Sequence, residues 1–182
     1  MSEPIIGDQP TPELDLSQIV PGDASFSVRA IGADDRRWVE PLLHRYWAST
    51  MVYAHGRVVD ASRLPGFAAF RDDEPIGLVT YEIADNACEI VTHNSLAGAG
   101  GIGSCLLAAV RQEARRTGCK RLWLIVRNDN TPALHFYQRR DFDIAAFYRD
   151  SVREGRKLKH DIPDRGHGGI LIRHEFELEF KL

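Results

Sequence analysis

The sequence predicts a single domain of the α/β class, α+β in its first half, built on one mixed β-sheet with flanking helices. Between residues 66 and 95, short apolar runs alternate with polar residues and are separated by polar turns, which is typical of an antiparallel meander. Between residues 87 and 126, a strand pattern, an amphipathic helix and a short apolar run follow one another, as in a parallel βαβ unit. With 182 residues, the chain is long enough to bury a sizeable core.

The composition is that of an ordinary soluble protein, with 43% hydrophobic and 27% charged residues. No apolar run approaches the ~18 residues of a membrane helix, and the N-terminus lacks the basic start and apolar core of a secretion signal. The net charge of −3 provides no basic stripe for nucleic acid. We therefore expect a cytoplasmic protein with neither a nucleic-acid nor a membrane partner.

The cysteines are Cys88, Cys105 and Cys119, an odd number without CxxC spacing. This pattern indicates reduced, buried thiols in a reducing compartment. None of the seven histidines stands at ligand spacing from a cysteine, so we expect no metal site.

The first 25 residues differ from the rest of the chain. They hold five acidic side chains, no Lys or Arg, and four of the nine prolines. This composition predicts a flexible or loosely docked extension at 1–25, so we expect the domain to span residues 26–182.

The first elements of the domain follow from alternation and capping. A strand is predicted at 26–31. The next helix is capped by Asp34 or Asp35, and Pro41 should kink it or divide it into two short helices. Residues 56–66 predict mostly loop, and the three meander strands follow with polar turns at "RDDEP" and "ADNA".

The central elements form the predicted βαβ unit. Apolar residues at helical spacing predict a helix from Ile102 to about Thr117, ended by Gly118. The apolar run 121–126 reads as a central strand covered on both faces, parallel to a strand at 87–93.

The last third adds two helices and two strands. Asn130 is the predicted N-cap of a helix that has a proline in its first turn. A strand is predicted at 141–150, and the capping-box spacing from Ser151 predicts a short basic helix to Lys159. A final strand is predicted by alternation from Gly169 onward, with one apolar face. That face comprises Ile170, Ile172, His174, Phe176, Leu178 and Phe180.

The stretch "LAGAGGIGSCLL" (96–107) leads from a strand into a helix and contains Gly98, Gly100, Gly101 and Gly103. A helix N-terminus free of side chains offers backbone N–H groups and the positive end of the helix dipole to an anion such as phosphate. A close-packed turn is the alternative. A Walker A loop would need a lysine before the serine, and a dinucleotide loop should follow the first strand rather than a meander.

Residues 91–142 resemble the GNAT superfamily of N-acetyltransferases. In that family a strand leads into Arg/Gln-x-x-Gly-x-Gly/Ala, and a helix and a strand separate this loop from Asn-x-x-Ala-x-x-Phe-Tyr-x-x-x-Gly-Phe. The matching residues in this chain are Gly101, Ile102 and Gly103, then Asn130, Ala133, Phe136, Tyr137 and Phe142. Two positions depart from the pattern: Gly98 stands where the family has Arg or Gln, and Asp141 where it has glycine.

The resemblance implies a GNAT-like fold and acetyl-CoA as co-substrate, with its pyrophosphate held by backbone amides of the glycine stretch. It also implies that His93 ends the cofactor strand, where its backbone N–H would polarise the thioester carbonyl, and that Tyr137 is the general acid that protonates the departing thiolate. The expected cofactor-binding residues are Val91, His93, Gly98, Ala99, Gly100, Gly101, Ile102, Gly103, Ser104, Asn130, Ala133 and Tyr137.

The general base and the acceptor are less determined. Glu82 and Glu89 are candidates for the base, because they lie on the two strands nearest the expected acetyl group. Trp38, Tyr46, Trp47 and Tyr53 are candidates for lining an acceptor pocket. The resulting hypothesis is acetyl transfer to a primary amine of a small molecule or peptide. The alternative is a non-catalytic acyl-CoA-binding sensor of the same fold. The resemblance allows a homodimer, which is common in the family, although no segment of this sequence specifies one.

Overall fold

The computed structural model describes residues 16, 19–20, 25–96 and 100–182. Within these residues the chain forms nine strands and four α-helices. The strands are β1 Ser27–Ala30, β2 Met51–Ala54, β3 Arg57–Asp60, β4 Gly66–Arg71, β5 Glu74–Ala84, β6 Ala87–Ser95, β7 Arg121–Arg127, β8 Asp143–Tyr148 and β9 Glu175–Lys181. The helices are α1 Arg36–Trp47, α2 Ile102–Arg116, α3 Thr131–Gln138 and α4 Ser151–Leu158.

Seven of the described strands form one sheet in the order β1-β4-β5-β6-β7-β9-β8, while β2 and β3 form a separate hairpin. The β4-β5-β6 meander is antiparallel throughout. Strands β6 and β7 are parallel, with Ala87–Ile90 opposite Arg121–Leu124. The predicted mixed sheet with a central βαβ unit is therefore confirmed.

The sheet is covered on both faces, and each face has its own apolar core. On one face, α2 and α3 pack on the sheet through a cluster that includes Ile102, Leu106, Leu124 and Tyr137. On the other face, α1 and the β2-β3 hairpin pack through a smaller cluster that includes Leu43. All three cysteines are buried free thiols, as predicted.

Helix α1 is continuous through Pro41, so of the two predicted alternatives, a kinked helix or two short helices, the second is wrong. Proline removes one backbone hydrogen bond from a helix interior. Here Pro41 is exposed, while Val39, Leu42 and Leu43 beside it are buried at 0%, 8% and 0% exposure. Burial of these three side chains on the sheet outweighs the lost hydrogen bond.

The hairpin β2-β3 corrects the prediction of a loop at 56–66. Its two-residue turn consists of His55 and Gly56, which both have positive φ values, 43° and 81°. Such a turn matches the twist of a hairpin and normally carries Asn, Asp or Gly. Each strand of this hairpin has only four residues, so the alternation of apolar and polar side chains was too short to detect. The hairpin also pairs with no other described strand.

Three predictions in the last third were partly wrong. Helix α4 forms, but its N-cap is Asp150, and the Ser151 hydroxyl donates to the Tyr148 carbonyl oxygen instead of capping. Strand β9 begins only at Glu175, because residues 165–171 form a loop closed by the bridge between Arg165 and Leu171. Strand β7 alternates between buried and half-buried residues, so it is not equally covered on both faces.

Most of the acidic extension lies outside the described residues. Its described residues Leu16, Ile19 and Val20 pack against the larger core, and the Cys105 thiol donates to the Ile19 carbonyl oxygen at 3.3 Å. In the part of the chain that the structure describes, no helix has the length and apolarity to cross a membrane. No cluster of His, Cys, Asp or Glu side chains suited to a metal ion occurs among these residues either.

Candidate active site

The site lies where β6 and β7 part. The two strands are paired only along Ala87–Ile90 and Arg121–Leu124, and both continue beyond this segment, to Ser95 and Arg127. A cavity of about 300 Å³ opens between the diverging ends. Its walls come from β6, β7, α3, the end of α1 and the start of α2. The lining residues are Trp47, Ile90, Val91, Thr92, His93, Ser95, Gly103, Leu124, Ile125, Val126, Asn130, Pro132, Ala133, Phe136 and Tyr137.

Helix α2 begins beside this cavity. Its N-cap Gly101 has φ +77°, a left-handed conformation that favours glycine, and a Cβ there would meet no other atom within 4 Å. The backbone N–H groups of Ile102, Gly103 and Ser104 precede the first intrahelical hydrogen bond, which Cys105 donates to the Gly101 carbonyl oxygen. The helix therefore presents several N–H donors and its positive dipole end at the edge of the cavity.

Arg140 adds a positive charge to this helix start. Its guanidinium donates to the Ser104 hydroxyl at 2.6 and 3.2 Å and to the Phe136 carbonyl oxygen at 2.8 Å. The same group lies 3.7 Å above the centre of the Phe136 ring. The start of α2 is thus electropositive through both backbone and side chain, which suits an anionic ligand.

Helix α3 brings Tyr137 to the cavity. The Asn130 side chain accepts from the Ala133 N–H at 3.2 Å, which confirms the predicted N-cap. Seven residues after the cap, Tyr137 is 5% exposed and its hydroxyl lies 2.8 Å from Nδ1 of His93. Asp141 ends this helical region with φ 65°, the left-handed value that the glycine of the family pattern would adopt.

Burial sets the ionisation of both groups in this contact. It raises the pKa of Tyr137 well above its ordinary value, with a smaller opposite effect from Arg140. It lowers the pKa of His93 to about 4, against a smaller opposing effect of the Gly103 backbone. At neutral pH the pair therefore consists of a phenol and a neutral imidazole.

Glu82 and Glu89 lie opposite each other on β5 and β6 and share one partner, Arg57. The guanidinium pairs with Glu82 at 2.7 Å and with Glu89 through its second nitrogen. Burial raises the pKa of Glu89, and Arg57 partly offsets this effect. Neither glutamate lines the cavity, because Glu89 faces Trp123 in the segment where β6 and β7 are still paired.

The structure brings together half of the expected cofactor-binding residues. Those that line the cavity are Val91, His93, Gly103, Asn130, Ala133 and Tyr137. Gly100, Gly101, Ile102 and Ser104 lie at the start of α2, outside the cavity wall, and the Ile102 side chain points into the core. Gly98 and Ala99 lie outside the described residues.

Of the aromatic acceptor candidates, Trp47 lines the cavity, and its Nε1 donates to the Asn94 side chain at 2.8 Å. Trp38, Tyr46 and Tyr53 do not line it. The sequence analysis did not predict that Arg57 pairs with both Glu82 and Glu89, or that Arg140 contacts the start of α2. No local pattern signals either, since each joins segments more than 20 residues apart.

The arrangement of sheet and helices is the fold of solved acetyltransferases. Two solved structures of that class share the fold of this chain, each with a TM-score of 0.63. One is a GNAT family acetyltransferase from Elizabethkingia anophelis with acetyl-CoA bound, 19% identical, covering 87% of this chain and 99% of that one. The other is the ribosomal-protein-S18-alanine N-acetyltransferase from Escherichia coli, 13% identical, covering 86% of this chain and 93% of that one.

The chain belongs to the Acetyltransferase (GNAT) family, whose family model matches residues 33–142. A sequence relative supports the assignment. The uncharacterized protein YdhI of Bacillus subtilis (strain 168) is 37% identical over 132 residues, which cover 72% of this chain and 82% of that protein. The predicted family resemblance and fold are confirmed.

Proposed function

We propose that this protein is an N-acetyltransferase that moves the acetyl group of acetyl-CoA to a primary amine by direct attack of the amine on the thioester. The observation that carries the proposal is the cavity between β6 and β7, which has a buried phenol in its wall and a helix N-terminus at its edge. Acetyl-CoA supplies the activated acetyl group and an anionic pyrophosphate.

The residues present fit that co-substrate. The N–H groups at the start of α2 and the guanidinium of Arg140 suit a pyrophosphate. Arg140 contacts Ser104, which follows Gly98, the position of the family's Arg or Gln, by six residues in the sequence. The mostly apolar cavity suits an uncharged acyl chain. A Cβ at Gly103 would lie 3.4 Å from the Phe136 ring, in van der Waals contact with it.

The reaction makes three demands: an uncharged amine, a donor for the oxyanion that develops, and a proton for the departing thiolate. We assign the proton to Tyr137, whose hydroxyl is the acidic O–H in the cavity wall, and the oxyanion donor to the backbone N–H of His93. Burial holds Tyr137 protonated at neutral pH, as a general acid must be.

For the general base we retain Glu89, with Glu82, as acting through water. Burial makes the Glu89 carboxylate more basic than an exposed one, but Arg57 opposes this and the cavity wall excludes both side chains. Replacing each with glutamine tests the assignment. If a glutamate is the base, its replacement changes the acid limb of the pH–rate profile. If it only forms a structural ion pair, its replacement lowers the stability of the fold and leaves that limb in place.

The acceptor is proposed as a primary amine on a small molecule or peptide. Among proteins that share the fold is the ribosomal-protein-S18-alanine N-acetyltransferase of Escherichia coli, so a peptide N-terminus is one class of acceptor to test. Trp47 in the cavity wall offers an apolar surface for the group that carries the amine.

The first experiment is calorimetric titration with acetyl-CoA and CoA, with NAD and ATP as controls. We expect micromolar binding of acetyl-CoA and CoA only; no binding of either by folded protein contradicts the proposal. A thiol-release screen of primary amines and N-terminal peptides then identifies an acceptor. Binding without turnover of any amine would favour the acyl-CoA sensor instead.

The role of Tyr137 is tested with Tyr137→Phe. We expect turnover to fall about 100-fold while acetyl-CoA binding changes little, because only the transferable proton is removed. Tyr81→Phe is the matched control, since Tyr81 is also buried but lies in the core outside the cavity. Equal turnover in wild type and Tyr137→Phe would remove Tyr137 from the mechanism.

A further inference from the structure

The two ring nitrogens of His93 have different surroundings, and only one of them contacts Tyr137. Nδ1 of His93 is 2.8 Å from the Tyr137 hydroxyl, whereas Nε2 is buried and has no hydrogen-bond partner among the described residues. The ring packs edge-on against Phe136, with 5.5 Å between the ring centres. The imidazole is thus held by one hydrogen bond and by apolar contacts.

A neutral imidazole carries its proton on one of the two nitrogens, and the choice fixes the direction of the hydrogen bond. With the proton on Nε2, the buried N–H would lie near the Gly103 backbone, which favours the charged imidazolium, but would have no acceptor at hydrogen-bond geometry, and Nδ1 would accept the phenol proton. With the proton on Nδ1, Nε2 is an unpaired acceptor, and Nδ1–H donates to the phenol oxygen. Among backbone groups, a buried N–H without an acceptor is rarer than a carbonyl oxygen without a donor, and we apply the same order to the two imidazole nitrogens.

We propose that His93 is a positioning residue that, protonated at Nδ1, donates a hydrogen bond to the Tyr137 oxygen and so leaves the phenol proton free to face the cavity. This inference deepens the proposed function and rests on it. It assigns the His93 imidazole a role distinct from that of its backbone N–H. The opposite tautomer would direct the phenol proton away from the thiolate and towards the histidine.

The proton balance of the reaction follows from this arrangement. The amine nitrogen forms a bond to the acetyl carbon, the carbon–sulfur bond breaks, and its electron pair remains on sulfur. Sulfur takes the Tyr137 proton, and the phenolate keeps the O–H electron pair. Nδ1–H stabilises that phenolate. The acylated nitrogen releases its proton through water to the proposed base Glu89, and the return of that proton by way of solvent restores the phenol, so no proton is gained or lost overall.

The tautomer of His93 can be determined without knowing the amine substrate and without measuring turnover. In ¹⁵N-labelled protein, long-range ¹H–¹⁵N correlation spectra distinguish the protonated from the unprotonated ring nitrogen, and the exposed His135 on α3 serves as an internal reference. We expect the proton of His93 on Nδ1 at pH 7. A proton on Nε2, for example shared with the Gly103 backbone, overturns the proposal even if the protein proves to be an active acetyltransferase.

Kinetics with the amine found in the screen provide the second arm. His93→Leu removes the donor and should lower kcat about 10- to 100-fold with KM for acetyl-CoA nearly unchanged, because the lost bond is to a charge formed only during transfer. His93→Asn, whose amide N–H can take the place of Nδ1–H, should restore most of kcat. Thermal unfolding of both variants reports whether the fold is intact.

A double-mutant comparison separates this role from a structural one. In a Tyr137→Phe background, His93→Leu should have no further effect on kcat, because there is no phenolate to stabilise. An equal loss in both backgrounds, or no rescue by His93→Asn in a folded variant, would show that His93 only fills space. Loss of acetyl-CoA binding in the wild-type titration would instead refute the proposed function and leave the tautomer measurement standing.

Discussion

Asp35 joins the first strand to the first helix, and its carboxylate accepts four hydrogen bonds. Two come from the Arg29 guanidinium at 2.7 and 2.8 Å, one from the Gly32 backbone N–H at 2.7 Å and one from Trp38 Nε1 at 2.9 Å. The residue is 7% exposed. The Arg29 hydrogen bonds, above all, hold the pKa of Asp35 well below its usual range.

Asp35→Asn should therefore destabilise the fold measurably. Each carboxylate oxygen accepts two donors, so an amide in either orientation turns its nitrogen towards two of them and breaks two hydrogen bonds. Hydrogen bonds to charged groups contribute about 1.5–3 kcal/mol each. Because Arg29 is half exposed and solvent screens its charge, we expect a loss of about 2–3 kcal/mol in the free energy of unfolding.

The effect has a defined pH dependence. The pKa of Asp35 is lower in the folded than in the unfolded protein, so its contribution to stability is fully present above the unfolded pKa of about 3.9 and is lost as the pH falls through the folded pKa. The difference between wild type and Asp35→Asn should be constant from pH 8 to 5 and shrink below about pH 4.

Urea unfolding of both proteins across this pH range measures the difference. The control is Asp34→Asn, since Asp34 is the exposed neighbour in the same turn, and we expect a change within about 0.5 kcal/mol. A change of that size for Asp35→Asn at pH 7, or a difference that does not shrink on acidification, would refute this account of the Asp35 contacts.

Three further predictions concern single positions. Leu106→Ala, at a fully buried position of α2, should cost about 2–5 kcal/mol in urea unfolding, and a loss under 1 kcal/mol would contradict its place in the core. Asn130→Ala removes the acceptor for the Ala133 N–H and should cost about 1 kcal/mol, whereas Asn130→Ser should restore most of it. Arg57→Gln leaves the Glu89 carboxylate buried opposite that of Glu82, which raises the pKa of Glu89 further. The variant should be less stable than wild type at pH 8 and should approach the stability of wild type at pH 5. An equal loss of stability at both pH values would argue against charge as the cause.

Local patterns predicted most of the fold. The meander was readable because Asp72-Asp73 and Asp85-Asn86 mark its turns, and all four residues adopt positive φ as Asp and Asn tolerate. The hairpin β2-β3 was missed because His55 replaces such a residue in its turn. The continuity of α1 could not be predicted, since it depends on the burial of Val39, a tertiary effect.

The residues of the candidate site were predictable from the sequence where they belong to one local motif. Asn130, Ala133 and Tyr137 belong to a single helix and one motif, and all three line the cavity. The Tyr137–His93 contact joins residues 44 positions apart, and no spacing rule connects them. Glu89 was placed on the correct strand, but its partner Arg57 comes from the hairpin that sequence reasoning missed.

The strand order has a consequence for how the chain folds. Strand β8 pairs with β9 and with no other described strand, although β8 is made first and β9 follows it by 27 residues. During synthesis β8 therefore emerges without a hydrogen-bonding partner, and its Ile144 and Phe147 remain 50% and 51% exposed even in the finished fold. An unpaired apolar strand is a site for wrong pairing and aggregation. The delay before β9 arrives is thus an interval in which wrong pairing of β8 can compete with folding.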